Sequence, residues 1–158
     1  MTDTIIIDGR TSVAFATAVA SIAGPTTTEL NAATRLETIM RPDGLNLKVD
    51  TASVPNGNLG STMTTTKAGR RGVTNGSLGF HHASTDTAWL LAVFRTSGFL
   101  VVRMGIDRAT AWTVGQKVKV YPIEFGEFDD YSPTENSNWD FTVPIFVYDD
   151  FNQRAVVA

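Results

Sequence analysis

Residues 84–105 constrain the fold more than any other segment, because a helical pattern there runs directly into a strand pattern. Ser84 or the following threonine can cap the helix, and Asp86 places negative charge at the positive end of the helix dipole. Gly98 can end the helix in a left-handed conformation. The pattern predicts one α-helix over about residues 84–97. Its apolar face consists of side chains at helical spacing: Trp89, Leu90, Val93 and Phe94.

Most of the remaining chain favours strands. Residues 99–104 form a short apolar run that is typical of a buried strand, and alternating patterns follow at 117–125 and 139–148. Threonine makes up 22 of the 158 residues, and valine, isoleucine and phenylalanine are frequent. Such branched and aromatic side chains suit a pleated sheet. The sequence therefore predicts a mainly β fold, a β-sandwich of two antiparallel sheets with one flanking helix.

The length of the chain limits its domain organisation. A chain of 158 residues can bury one substantial core but is too short for two of comparable size. We expect residues 1–24 to form an extended N-terminal arm or added strands, with an apolar arm or a short strand at 4–8. Residues 25–158 are expected to form a single β-sandwich domain.

A turn and a long polar segment follow one another in the first half of the chain. Pro42-Asp43-Gly44 predicts a turn between strands at 36–40 and 45–49. Residues 51–74 offer few apolar anchors, so they form either a mobile surface loop or a long loop that serves binding or assembly. A nucleic-acid patch is less favoured, because the basic residues of this segment lack interleaved aromatic side chains.

The charge of the chain is unevenly distributed, although the net value is only −3. Residues 124–158 contain one arginine and eight carboxylates, a net charge of −7, whereas residues 84–123 carry +3. A chain that is acidic at one end and mildly basic elsewhere can dock head to tail on copies of itself. Solvated acidic loops are the alternative explanation.

Sequence signals for catalysis, cofactor binding and metal binding are missing. The chain contains no cysteine, which excludes disulfides, thiolate metal sites and thiol catalysis. His81 and His82 are its two histidines, and as neighbours on a strand they point to opposite faces. The acidic pairs and glycine spacings match no calcium loop, phosphate-binding loop, dinucleotide fingerprint or nucleophile elbow. We therefore expect a protein that is not an enzyme and has no cofactor and no metal site.

Membrane and targeting signals are also weak. No apolar run approaches the roughly 20 residues that a helix needs to span a bilayer. The alanine-rich segment 13–24 is faintly similar to a signal-peptide core, but Asp3 and Asp8 precede it with only one arginine. We expect this segment to belong to a mature, intracellular protein without a membrane anchor.

The order of the predicted elements is similar to that of a known family. The features that carry the likeness are Pro25-Thr-Thr-Thr-Glu29-Leu30, the polar segment 51–74, the helix and strand at 85–105, and Gly115-Gln-Lys-Val-Lys-Val-Tyr-Pro122. The acidic loop and the last strand, Phe-Thr-Val-Pro-Ile-Phe-Val, complete the order. Over about residues 25–158 the chain resembles the tail tube protein, or major tail protein, of long-tailed bacteriophages.

This resemblance implies a β-sandwich whose copies assemble as hexameric rings and stack into a hollow tube. An inner sheet from each subunit would line the channel, while the extended loop and the termini bridge subunits and rings. The resemblance also implies a virion component made in the host cytoplasm, with the tape measure protein and the tail terminator as partners. Linear DNA would pass through the channel during infection without specific binding.

The charge pattern supplies a contact hypothesis within that assembly. The basic residues of the polar segment are expected to reach an acidic surface on an adjacent subunit. A channel lined by threonine, serine, asparagine and carboxylates would let DNA pass, because every basic contact with phosphate adds affinity. The predicted contact residues are Lys67, Arg70 and Arg71 on one side, and Glu127, Asp129 and Asp130 on the other.

Two alternative functions stay open at this stage. The first is another virion component of similar fold, such as a tail terminator or a capsid-decorating protein. The second is a carbohydrate-binding β-sandwich, which would need solvent-exposed aromatic side chains, with Trp112, Trp139 and Tyr131 as candidates. Core packing is the commoner location of such side chains.

Overall fold

The computed structural model describes residues 4–85, 87–130 and 134–158, and this part of the chain is mainly β, which confirms the predicted fold class. The described strands are β1 (Thr11–Ala16), β2 (Thr34–Arg35), β3 (Met40–Asn46), β4 (Val49–Pro55), β5 (Thr66–Val73), β6 (Ser77–His81), β7 (Ser97–Met104), β8 (Lys117–Phe125), β9 (Asp129–Asp130), β10 (Asp140–Val147) and β11 (Asn152–Val156). The described helices are α1 (Thr27–Ala32) and α2 (Thr87–Leu91). Within the described ranges, neither helix is long and apolar enough to cross a membrane.

One strand joins the two halves of the large sheet. The sheet runs in the order β2-β1-β7-β8-β10-β6-β3, with β11 added beside β8 and β9 beside β10, and all of its pairs are antiparallel. The end of β10 pairs with β8 through Ile145, Phe146 and Val147. The preceding part of β10, from Asp140 to Pro144, pairs with β6. The two expected sheets are therefore two halves of one sheet, linked through β10.

The core lies between these two halves. Alternate side chains of β7 and β8 face inward and meet the buried side chains of β6 and β10, as alternation along a strand requires. The main core residues are Leu100, Val102, Tyr121, Ile123, Leu78, Phe80, Phe141 and Val143. The other faces of β7 and β8 are buried as well, in a second cluster of Val101, Val118, Val120, Leu30, Trp112, Ala155 and Val157. β7 and β8 are thus the central strands of the fold.

A capping box starts α1. The Glu29 carboxylate accepts hydrogen bonds from the backbone N–H groups of Thr26 at 2.8 Å and Ala20 at 2.7 Å. The Thr26 hydroxyl oxygen accepts the Glu29 N–H at 3.2 Å. The bond from Thr26 and then the bond from Ala20 lower the pKa of Glu29 below its ordinary value of 4.5. This interaction fixes the start of α1, whose Leu30 is buried in the second cluster.

The stability of the fold is expected to depend on pH through Glu29. A carboxyl group whose pKa is lowered on folding stabilises the fold above its unfolded-state pKa, and this contribution is lost as pH falls through the folded-state pKa. Between about pH 6 and about pH 3, the free energy of unfolding should fall more in the unaltered chain than in Glu29→Gln, by well under about 1 kcal/mol because solvent screens this carboxylate. The neutral glutamine amide can still complete the capping box. Urea unfolding followed by circular dichroism measures the difference, and Glu135→Gln is the control at an exposed position. Equal pH dependence of the unaltered chain, Glu29→Gln and Glu135→Gln would contradict the expectation.

The predicted helix over residues 84–97 is wrong in extent, since α2 covers only Thr87–Leu91. Helices in proteins persist mainly where their apolar face is packed, and here the buried residues on this segment are Ala88 and Ala92. Four large apolar side chains of the segment face solvent, Trp89, Leu90, Val93 and Phe94, whereas Leu91 is partly buried against the core. After α2 the chain turns through Arg95, with φ of 64°, and its N–H donates to the Phe125 carbonyl of β8 at 2.8 Å. Asp86 lies outside the described residues.

Gly98 does not end the helix as predicted, because it lies buried inside β7. A Cβ atom at this position would overlap the Phe15 ring and lie 2.8 Å from the Ala16 carbonyl oxygen of the paired strand β1. The glycine is therefore required by close packing between β1 and β7 rather than by a left-handed backbone conformation.

Replacing Gly98 by alanine is expected to lower the free energy of unfolding by about 1–3 kcal/mol, because overpacking forces the core apart. Gly72→Ala is the matched control, since Gly72 also lies in a strand but has open space at its Cβ position. Urea unfolding of both variants measures the effect. A Gly98 variant as stable as the control would show that the Phe15 ring moves aside without cost.

Two further predictions in the first half of the chain are corrected. The turn predicted at Pro42-Asp43-Gly44 lies within β3, which bulges there: β3 advances from Met40 to Leu45 while its partner β6 advances only from Phe80 to Leu78. Turn-forming residues can be accommodated in a bulge as well as in a hairpin. In the polar segment 51–74, residues 51–55 and 66–73 belong to the paired strands β4 and β5, so the loop is limited to residues 56–65. Its role in binding or assembly stays a prediction.

Candidate functional site

The β4–β5 hairpin is largely exposed to solvent. It forms a separate two-stranded sheet, and every residue from Thr51 to Ala68 is solvent-exposed. Lys67 and Arg70 lie on β5 with exposed side chains. Lys67 is opposite Val54 of β4, whereas Arg70 lies where the register of the two strands shifts. An isolated two-stranded hairpin is marginally stable in water. This hairpin is therefore a candidate for completion by contacts outside the protomer.

Arg71 differs from the other two basic residues of the hairpin, because it contacts the body of its own protomer. Its guanidinium lies 4.8 Å from the centre of the Phe151 ring and donates to the Phe151 carbonyl oxygen at 3.3 Å. It is also 3.6 Å from the Asp150 carboxylate. These contacts attach the base of the hairpin to the segment before β11. The predicted contact of Arg71 with another subunit stays a prediction.

The three predicted acidic contact residues lie together. Glu127, Asp129 and Asp130 are exposed and line an open hollow of about 350 Å³, together with Ser77, Thr142 and Pro144. β9, which holds the two aspartates, pairs with Phe141 and Thr142 of β10 and so fixes them beside the sheet. Asp130 is also 3.2 Å from Nε2 of His82. The hollow presents a concentrated negative charge to solvent.

The two histidines diverge as expected, and each has a different acidic partner. His81 Nδ1 lies 2.5 Å from Oδ1 of Asp140, its cross-strand neighbour on β10. The His82 ring stacks on Trp139 with ring centres 3.9 Å apart. Among the residues that the structure describes, no three acidic or histidine side chains converge as a metal site would require.

The aromatic candidates for carbohydrate binding do not form a platform in the described chain. Trp112 is buried, with the Arg103 guanidinium 4.4 Å from the centre of its ring. Trp139 is exposed but stacked on His82. Tyr131 lies outside the described residues.

A buried arginine, which the sequence pattern did not single out, fixes the connection between β7 and β8. Arg103 is fully buried, and burial lowers its pKa below the ordinary value of an arginine. It donates to Ser12 Oγ at 3.1 Å and Gln116 Oε1 at 2.9 Å. Its remaining acceptors are the backbone carbonyls of Asp107, Thr110 and Ala111. The charged residue inside the apolar run 99–104 was the sequence signal that could have revealed this role.

Two apolar surfaces are exposed at opposite ends of the β7–β8 pair. The first, here called the α2 surface, consists of Trp89, Leu90, Val93 and Phe94. The second, here called the isoleucine surface, consists of Ile5, Ile6 and Ile7. The sequence pattern predicted an apolar arm or a short strand at 4–8, and it placed the side chains of the α2 surface on one apolar face of a flanking helix.

Comparison with known proteins gives one family match and one similar solved structure. The family model described as "Phage tail tube protein" matches residues 1–158. A chain in the structure titled "Cryo-EM structure of the anti-feeding prophage (AFP) baseplate, 6-fold symmetrised" is similar with a TM-score of 0.55 and 13% sequence identity, over 96% of each chain. At this identity the structural likeness shows a shared fold. No curated protein sequence matches the chain.

Proposed function

Because the chain belongs to the phage tail tube protein family, we propose that its copies assemble into hexameric rings that stack into a tube for DNA delivery. Family membership makes it a structural protein of the virion tail, and it confirms the expectation that the chain is not an enzyme. The observation that carries the proposal is the matching of the whole chain to this family, together with an exposed hairpin that has few partners in its own protomer.

The neighbouring structure supports six-fold assembly. The similar baseplate chain belongs to an assembly described as six-fold symmetrised, and the likeness extends over nearly all of both chains. The β4–β5 hairpin provides an element that can extend from one subunit to the next, since nearly all of its side chains are exposed. In the proposed ring, neighbouring subunits stabilise this hairpin and cover its unpaired strand edges.

The contact between neighbours is proposed to be electrostatic at its rim. Lys67 and Arg70 of one subunit approach the acidic hollow of Glu127, Asp129 and Asp130 on the next. Exposed ion pairs contribute at most about 1 kcal/mol each, so their main effects are on orientation and association rate. Arg71 is proposed to act at the base of the same hairpin, where it already contacts Phe151 and Asp150.

The channel is proposed to conduct DNA without retaining it. Each lysine or arginine that contacts phosphate releases counterions and strengthens binding, so a conduit needs few such contacts. The net charge of −3 and the abundance of threonine are compatible with a weakly interacting lining. The tape measure protein inside the tube and the tail terminator at its end are the proposed partners.

Negative-stain electron microscopy of the purified protein tests the proposal. Open-ended tubes or stacks of six-fold rings would support it. Single rings that never stack would favour a tail terminator instead, and a monomer that persists at high concentration would overturn the proposed assembly.

A further inference from the structure

The dipeptide Asn-Gly occurs twice in the chain, in two different structural settings. Asn56-Gly57 begins the loop between β4 and β5, and Asn75-Gly76 lies between β5 and β6. An asparagine before a glycine is chemically labile, because a glycine has no Cβ to obstruct its backbone nitrogen as that nitrogen attacks the preceding side-chain amide. In a folded protein this reaction depends on how freely the backbone can bring the two groups together.

Asn56-Gly57 is exposed and loosely held. The Asn56 N–H donates to the Thr65 carbonyl at 2.8 Å. Within the described chain, neither the side-chain amide of Asn56 nor the N–H of Gly57 takes part in a hydrogen bond. A Cβ on Gly57 would meet no atom within 4 Å. The Gly57 nitrogen can therefore approach the Asn56 side chain without displacing a neighbour.

Asn75-Gly76 is held on both sides. Asn46 Nδ2 donates to the Asn75 carbonyl at 3.4 Å, and the Gly76 carbonyl accepts the Ile145 N–H at 2.9 Å. Gly76 is buried, and a Cβ there would lie 3.1 Å from the Ile145 side chain. Moving the Gly76 nitrogen onto the Asn75 side chain would require this junction of β5 and β6 to open, which costs free energy.

We propose that Asn56 deamidates spontaneously in the folded protein, whereas the fold protects Asn75. The Gly57 backbone nitrogen attacks Cγ of Asn56, and the new N–C bond closes a succinimide ring. The side-chain nitrogen leaves as ammonia with the proton of the Gly57 N–H. Water then adds to one of the two ring carbonyls and opens the ring. The product is aspartate or isoaspartate, and the net change is one water gained and one ammonia lost.

The reaction changes the charge of the β4–β5 hairpin. Residues 48–74 contain four basic side chains and one carboxylate, a net charge of +3, and one further carboxylate lowers it to +2. Because the bond between Asn56 and Thr65 continues the strand pairing, Asn56 lies on the same face as Val54 and its partner Lys67. The modification therefore alters the face that holds one of the proposed subunit contacts, although the reaction itself does not depend on assembly.

Peptide mapping by mass spectrometry measures conversion at each asparagine of the unaltered, folded protein during incubation in mildly basic buffer. Asn56 is expected to convert at least about tenfold faster than Asn75, because opening free energies range from near zero in exposed loops to the global value in the core. Asn58 is the matched control in the same loop, since it is also exposed but precedes Leu59. We expect Asn58 to stay largely unconverted.

Two further measurements separate the local chemistry from the effect of the fold. Gly57→Ala has open space for its methyl group and should slow conversion of Asn56 without changing the circular dichroism spectrum. In guanidinium chloride, where both dipeptides are unfolded, Asn56 and Asn75 should convert at similar rates. Equal rates in the folded protein, conversion of Asn58 as fast as that of Asn56, or slower conversion of Asn75 after unfolding would each overturn the proposal.

Discussion

Reversing two charges on the hairpin, in the variant Lys67→Glu/Arg70→Glu, is expected to abolish tube formation and leave the protomer folded. Both side chains are exposed on β5, so the fold does not depend on them. Each of the two reversed side chains would face the acidic hollow of the neighbouring subunit. An attraction of about 1 kcal/mol there becomes a repulsion of similar size. A ring repeats this change at every subunit contact, which multiplies the effect. Negative-stain microscopy and size-exclusion chromatography measure assembly, and circular dichroism measures folding.

A matched control and a rescue make this result specific. Lys48→Glu/Arg154→Glu changes the net charge equally at other exposed positions and should leave tubes intact. Adding Glu127→Lys/Asp129→Lys to the hairpin variant restores opposite charges and should restore tubes. If the hairpin variant forms tubes as abundantly as the unaltered protein, the proposed charge contact is wrong.

Arg103→Met is expected to lower the free energy of unfolding by about 3 kcal/mol or more, a larger loss than that expected for Gly98→Ala. Methionine removes the donors that now bind Ser12 Oγ, Gln116 Oε1 and the Thr110 carbonyl. The carbonyls of Asp107 and Ala111 keep hydrogen bonds from the Thr110 N–H and from Gln116 Nε2. Buried acceptors left without donors cost about 1–3 kcal/mol each where water cannot reach them. Urea unfolding measures the loss, and amide hydrogen exchange should show faster opening of residues 105–116.

Two comparisons test the explanation of this effect. Arg103→Lys keeps the charge but has a single nitrogen in place of a planar group over Trp112, so its stability should lie between those of the unaltered chain and Arg103→Met. Arg154→Met removes an exposed arginine from β11 and should change stability by less than about 0.5 kcal/mol. A loss of less than about 1 kcal/mol in Arg103→Met would show that water replaces the guanidinium.

The sequence predicted the strands more successfully than the helix, for a physical reason. The apolar run of β7 and the alternation along β8 and β10 coincide with real burial, because both halves of the sheet pack on these strands. The spacing of Trp89, Leu90, Val93 and Phe94 correctly indicates a shared face, but spacing cannot reveal what covers that face. Within the described residues this face is largely exposed, with Phe128 lying against Trp89, and the helix ends early.

The sequence predicted the candidate contact residues only as two groups, one basic and one acidic. Glu127, Asp129 and Asp130 are close in sequence and also meet in the fold. The separation of Arg71 from Lys67 and Arg70 could not be foreseen, since its partners Asp150 and Phe151 are distant in sequence. These contacts depend on where the hairpin lies against the rest of the protomer, which the local sequence pattern does not encode.

The path of β10 has a mechanical consequence. Because its start is bonded to β6 and its end to β8, the two halves of the sheet cannot separate without pulling on this one strand. A force that slides the halves past each other loads many of these hydrogen bonds together, in shear, rather than opening them one at a time. A wall built of such units would resist stretching through the backbone itself, without disulfide cross-links, which a chain lacking cysteine cannot form.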